Sequence, residues 1–452
     1  MLMVNNYESN KLQRKLGLFP LTNIVIANMI GAGIFTTSGL LMEILKNPLL
    51  MIFLWLTGGI IALCGALCYG ELGSAFPYAG GEYLYLSRLF HPLVGFLSGW
   101  VSFFVGFSAP IAASAIGFSE YFFRAFPHLL KIGIFNEKLE TLIIKKLVSI
   151  LIILIFTLIH LRGIEFGAKI QNFLTLLKIG LIGALLLVGF FSRNGNWENL
   201  FQGENFAFNL AGLKAMGLGL MWIMFAYSGW NASSYIGSEI KKPSRNLSLS
   251  LILGTGIVLL LYLCLNFFYI YAISPKEMSG VISIGGLAVK NLLGSTFENY
   301  FSILISFALF SSLSAFIILG PRVYYSMAKD GCFFDFASKI HPRFKVPSKS
   351  IILQSLISII ILISGTFDQI LTYMGFSLGI FPILAVIGIF KLRKMKLNSY
   401  KMPGYPVIPI IYISSAIFIL IFGFLKSPIP SIVAILTAVS YTHLTLPTKA
   451  WG

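Results

Sequence analysis

Eleven apolar runs decide what this chain can fold into. A helix needs about 20 apolar residues to cross the hydrocarbon core of a bilayer. Runs of that order lie near residues 18–42, 48–73, 92–123, 147–161, 170–191, 211–240, 248–273, 301–327, 350–364, 370–390 and 407–425. The fourth and ninth are short, and a further run at 431–439 stops before it can span. Hydrophobic residues make up 57% of the sequence and charged residues 11%. Ordinary soluble domains carry about 25% charged residues. A soluble fold would have too little polar surface for water, and a disordered chain needs the opposite composition. The pattern predicts an all-α polytopic membrane protein.

The net charge of +17 fits the same reading, because membrane proteins collect Lys and Arg in cytoplasmic loops. No basic stretch is long enough to form a nucleic-acid module, so no nucleic-acid partner is expected. Lys11, Arg14 and Lys15 precede the first run without a small-residue cleavage site. Residues 1–17 therefore read as a cytoplasmic tail and not as a removed leader. Alternating loops then place Lys241, Lys242 and Arg245 and the basic clusters in 322–349 and 391–401 on the cytoplasmic side. These outnumber the outer basic residues, although loop 124–146 runs against the bias. Cys64, Cys68, Cys264 and Cys332 form no C-x-x-C pair, and the histidines are scattered, so no metal or cofactor is expected. Residues 18–439 read as the membrane domain. The polar stretch 440–452 interrupts an apolar run and resembles translated adapter sequence. It is expected to be non-native and to have cut off a twelfth helix, the alternative being a genuine polar terminus.

Two runs carry interruptions that a plain anchor does not need. The first reads Asn28-Met29-Ile30-Gly31-Ala32-Gly33-Ile34-Phe35, and the sixth reads Phe225-Ala226-Tyr227-Ser228-Gly229-Trp230-Asn231. Glycines weaken a helix at a depth where unwound backbone is tolerated only against protein or a water-filled cavity. A half-helix starting near Gly33 offers free N–H groups, and half-helices ending near Ile30 and Ala226 offer free C=O groups. Such ends match the carboxylate and ammonium of an α-amino acid without any charged side chain. Taken alone, Gly-x-Gly also marks close helix packing. Breaks in the first and sixth runs together fit two five-helix repeats with a site at the midplane.

Lys178 lies about eight residues into the fifth run. An intramembrane ionisable residue is a functional candidate that faces the bundle interior. Its ammonium can stand where a coupling sodium would stand, or it can carry a proton. The alternative is a side chain that snorkels to the interface. Glu71, Glu120 and Glu239 lie at span margins. Glu239 reads as an interface partner of Lys241 and Lys242, Glu120 as a solvated helix end, and Glu71 as a partner for a loop cation.

Four segments carry a resemblance to amino acid permeases of the amino acid–polyamine–organocation superfamily, in the L-type branch. Gly31–Phe35 (GAGIF) resembles the G-S-G-I-F motif of the first helix. The stretch 71–85, ELGSAFPYAGGEYLY, is similar to the P-x-x-G-G-x-Y-x-Y signature. FAYSGWN at 225–231, followed by EIKKPSRN at 239–246, resembles the sixth-helix segment. GPRVYYSMAKDG at 320–331 resembles the motif that closes the eighth helix. The resemblance implies the leucine-transporter-type fold: two inverted five-helix repeats, about 18–191 and 211–390, and two trailing helices, about 407–439. It implies that Gly31, Ala32 and Gly33 bind the substrate carboxylate through backbone, with a Met29 carbonyl nearby. Carbonyls of Phe225, Ala226 and Ser228 would take the ammonium, and the Phe225 ring would gate the site. Lys178 falls where sodium-independent relatives carry a lysine, with Ser311, Ser312 and Ser314 as neighbours. Ala32 stands where the motif has serine, which removes one hydroxyl donor. Loop 124–146 has no cysteine, so no disulfide-linked heavy chain is expected.

These readings converge on a sodium-independent carrier of neutral amino acids in the cell membrane, surrounded by lipid and working by alternating access, as exchanger or proton-coupled permease. A sodium symporter and a non-transporting amino acid sensor are the alternatives. A membrane-embedded enzyme is disfavoured because no nucleophile–base pair or ligand set lies at membrane depth.

Overall fold

The computed structural model describes residues 12–130, 137–364, 367–396 and 400–426. The run at 431–439, the stretch 440–452 and Lys11 lie outside the described residues. The helices follow in order: α1 (Leu18–Met29), α2 (Gly33–Leu45), α3 (Pro48–Ala75), α4 (Glu82–Leu89), α5 (Pro92–Val101), α6 (Ala109–Ala125), α7 (Glu137–Leu161) and α8 (Ile164–Phe191). They continue as α9 (Leu210–Ala226), α10 (Pro243–Ala272), α11 (Ile284–Leu293), α12 (Ser295–Lys329), α13 (Ser348–Ser364), α14 (Phe367–Lys394) and α15 (Val407–Lys426). Among the described residues there is no strand, only isolated bridges pairing Leu16 with Ile240 and Ala79 with Ile236.

Six described helices are long and apolar enough to span a membrane, or seven when α1 and α2 count as one bent span. Each of the eleven apolar runs holds a helix. The fourth run proved longer than its apolar stretch, because α7 begins at Glu137 and carries Lys145 and Lys146 in its early turns. The short helices α4 and α11 and the 3₁₀ turns Ala232–Tyr235 and Gly237–Glu239 were not anticipated.

Local chemistry explains the interruptions. Asn47 caps α3 by accepting the Leu50 N–H at 2.9 Å, with Pro48 in the first turn. The third run is one stack of α5, a π-helical segment Ser102–Ser108 and α6. Pro110 has no N–H to return to the preceding turn, and the helix meets that gap by widening just before it.

The interior is set by α3 along α10, α6 along α12, and α1 held between α8, α10 and α12. Outer helices show their apolar faces instead. Leu147, Leu151, Leu154 and Leu158 form an exposed stripe on α7. Only 22% of the apolar window of α7 is buried, against 83% for the α5–α6 stack, which places α7 on the outside of the bundle and α5–α6 inside.

Buried charges pin the margins. Glu239 does not pair with Lys241 or Lys242, which are both exposed. The 3₁₀ turns after α9 curl the chain inward, and Glu239 meets Arg322 of α12 in a two-pronged pair at 2.8 and 3.0 Å with both side chains essentially inaccessible. The Glu239 carbonyl also accepts the N–H groups of Lys15 and Leu16. Glu71 finds a cation at Arg393, 2.7 Å away at the end of α14. Glu120 pairs with Lys145 at 2.7 Å on the surface.

Removing one member of a buried pair strands the other charge, at about 3–5 kcal/mol. Arg322→Met should therefore lower the melting temperature in detergent sharply, and the double variant with Glu239→Gln should recover much of the loss. Equal melting of the single variant and the parent would show that the pair does not hold α12 to the segment after α9.

Candidate functional site

The first helix breaks as its glycines require. α1 stops at Met29, Ile30 leaves the helix with an extended ψ of 92°, and α2 restarts at Gly33 with a bend of 41°. α9 stops at Ala226 and gives way to turns through Gly229, whose φ of +99° belongs to glycine. The two breaks touch. A Cβ on Gly33 would lie 2.9 Å from both the Cα and the Cβ of Ala226, so only glycine lets α2 start against the end of α9. At Gly31 a Cβ would meet nothing within 4 Å. The two glycines of one motif thus differ in what they do, since Gly33 permits contact and Gly31 borders space.

That space is a cavity lined by all seven expected residues: Met29, Gly31, Ala32, Gly33, Phe225, Ala226 and Ser228. Asn28, Pro110, Ala113, Ser114, Leu309, Ser312 and Phe316 complete the described wall, which carries no charged side chain. Among the described residues the amides of Gly31, Ala32 and Gly33 have no hydrogen-bond acceptor. They sit at the positive end of α2 and can receive an anion.

The carbonyl ends are answered by side chains. The Lys178 ammonium is 1% exposed, so it does not snorkel. It donates to the Ile30 carbonyl at 2.6 Å, to Ser312 Oγ at 3.0 Å and to the Ala27 carbonyl at 3.4 Å. Ser312 donates in turn to the Ile30 carbonyl at 2.8 Å. A cation at the carbonyl end of α1 complements its dipole. Lys178 lies behind the cavity wall and not on it. Of the three expected serines only Ser312 joins it. Ser311 accepts from Gln171 at 3.1 Å, and Ser314 pairs with His160 at 2.9 Å.

Two residues were missed. The Tyr262 hydroxyl of α10 lies 2.8 Å from the Met29 carbonyl and 2.9 Å from the Ala226 carbonyl, joining the ends of both broken helices. Its ring packs on Trp55 and Tyr227 at centroid distances of 5.4 and 4.9 Å. One hydroxyl proton cannot serve two carbonyls fully, so acceptor capacity remains there for an ammonium. Asn28 is buried with its Oδ1 unpaired, and it borders the cavity. A lone Tyr in an apolar run gives no signal, whereas an Asn beside a glycine break in a membrane helix does.

A helical bundle with a mid-chain cavity between two broken helices is the architecture of a multi-pass membrane carrier. The chain belongs to the amino acid permease family, whose pattern it matches over residues 16–444. It is 28% identical to the serine/threonine exchanger SteT of Bacillus subtilis over 91% of this chain and 92% of that protein. It is 25% identical to the mouse Asc-type amino acid transporter 1, over 95% of this chain and 80% of the relative. It is 26% identical to the cystine/glutamate transporter of Pongo abelii, over 85% and 75%.

The glycine geometry separates two variants. Gly31→Ala should fold like the parent and lose ligand binding by about tenfold or more, since one added methyl enters the cavity. Gly33→Ala should lower the melting temperature as well, because its methyl meets Ala226. Equal melting of the two variants, read with equal binding, would contradict these separate roles.

Proposed function

We propose that the chain is a sodium-independent transporter of small neutral amino acids across the cell membrane, working by alternating access with a cytoplasmic N-terminus. The observation that carries this reading is the Lys178 ammonium on the Ile30 carbonyl and Ser312 hydroxyl. A coupling sodium would need oxygen ligands of this kind, and a fixed ammonium already occupies them. The backbone of Gly31, Ala32 and Gly33 would take the substrate carboxylate. The Met29, Phe225, Ala226 and Ser228 carbonyls would take its ammonium, with the Phe225 ring as gate.

The wall supports a neutral substrate, since no charged side chain among its described residues meets a charged substrate side chain. Pro110, Ala113, Leu309 and Phe316 leave apolar contact for a small one. The paired breaks support two inverted repeats, about 18–191 and 211–390, rocking against each other. The basic clusters in 322–349 and 391–401 support a cytoplasmic N-terminus. Loop 124–146 has no cysteine for a disulfide-linked heavy chain.

Purified protein in proteoliposomes should take up labelled neutral amino acids saturably, at the same rate when choline replaces sodium. Lys178→Ala should cut that flux tenfold or more while the protein still elutes as a sharp peak in size-exclusion chromatography. Uptake that requires sodium, or full flux in Lys178→Ala, would overturn the assignment.

A further inference from the structure

The transport reading leaves Glu82 without a role. It opens α4, is 6% exposed, and borders a second, larger cavity. That cavity shares Asn28, Pro110, Phe225, Ser228 and Phe316 with the first, so the two are neighbours around one set of side chains. Glu82 Oε1 accepts the Tyr69 hydroxyl at 2.9 Å and the Asn231 amide at 2.6 Å. The Tyr235 hydroxyl also bonds the carboxyl, and Asn231 reaches Tyr235 at 3.0 Å. Tyr85 on its own helix and Tyr412 of α15 are the other titratable groups facing it. Among the described residues no cation pairs with it, because Arg322 is held by Glu239 and Arg393 by Glu71.

The backbone fixes this cluster. Gly80 and Gly81 adopt φ of +121° and +54°, and a Cβ on Gly81 would strike the Tyr235 ring. The Gly80 N–H donates to the Tyr235 carbonyl at 3.1 Å, and Ala79 bridges Ile236. The start of α4 is therefore joined to the unwound chain that follows α9, the same chain that supplies Ser228 to the candidate site.

We propose that Glu82 is a proton-binding site which couples proton movement to substrate movement. The proposal rests on the transport reading above and adds the coupling ion to it. As a carboxylate, Glu82 accepts from Tyr69, Asn231 and Tyr235 and clamps the segment after α9. Once a proton sits on a carboxyl oxygen, that oxygen turns donor, the negative charge that strengthened the bonds from Tyr69 and Asn231 to Oε1 is gone, and the clamp loosens. The proton arrives through the shared cavity and returns to water when the cavity faces the other side, which restores the carboxylate. Lys178 is unsuited to carrying this proton, because its three N–H groups are all engaged and it lines neither cavity. Burial without a cation pushes the Glu82 carboxyl up to about 6, against the three hydrogen bonds that favour its charged form.

The test uses full-length protein in proteoliposomes containing a pH-sensitive dye, with an equimolar mixture of labelled neutral L-amino acids. With acid outside, the wild type should accumulate label, acidify the lumen, and show a pH profile with its midpoint near 6. Glu82→Gln should lose lumen acidification at least tenfold relative to its own counterflow of label. Tyr69→Phe removes a bond that favours the carboxylate, so its midpoint should move up by about one pH unit. This second variant keeps the test decisive if Glu82→Gln fails to fold. A wild type with counterflow but no acidification, a Glu82→Gln protein that acidifies in proportion to counterflow, or an unmoved midpoint in Tyr69→Phe each overturns the proposal. Absence of both uptake and counterflow in the wild type instead removes the transport reading, and the proton site with it.

Discussion

In a membrane interior, a peptide group that leaves its helix must find another partner, and everything around α1 and α9 follows from that demand. The break at Ile30 frees carbonyls that water cannot reach. Lys178 and Ser312 take Ile30, and Tyr262 spans Met29 and Ala226. These partners come from α8, α12 and α10, so satisfying one short stretch of backbone fixes the positions of three other helices. Among the described residues the amides of Gly31, Ala32 and Gly33 have no acceptor, and these residues line the cavity. That is where the proposed substrate carboxylate would bind.

The spans and breaks were legible because they depend on composition over many residues, or on glycine within an apolar run. Lys178 was legible as a charge in an apolar run, but its neighbours were not. Ser311, Ser312 and Ser314 differ only in which face of α12 they occupy, and sequence places three serines within one turn without saying which faces Lys178. Tyr262 was invisible because its role depends on two helix ends that meet only in the fold. Glu239 was misread for the same reason. Its neighbours in sequence are Lys241 and Lys242, yet the 3₁₀ turns carry it to Arg322, 83 positions away. The motif glycines at 31 and 33 look alike in sequence, and only the approach of Ala226 distinguishes them.

The buried charges fall into two kinds. Glu239–Arg322 and Glu71–Arg393 are pairs in which each charge answers the other, and such pairs hold elements in register. Among the described residues Lys178 and Glu82 have no opposite charge and are held by neutral dipoles. Lys178 has every proton committed and is walled off from the cavities, which suits a fixed cation at the carbonyl end of a broken helix. Glu82 borders open space and is held by hydroxyls and an amide that can reorient. A group that must gain and lose a proton needs access and replaceable partners, whereas a group that stands in for an ion needs neither. The same low-dielectric interior thus suits one unpaired charge to the static role and the other to the proton-binding role proposed above, and the second is bonded through Asn231 to the segment that any rocking of α9 must move.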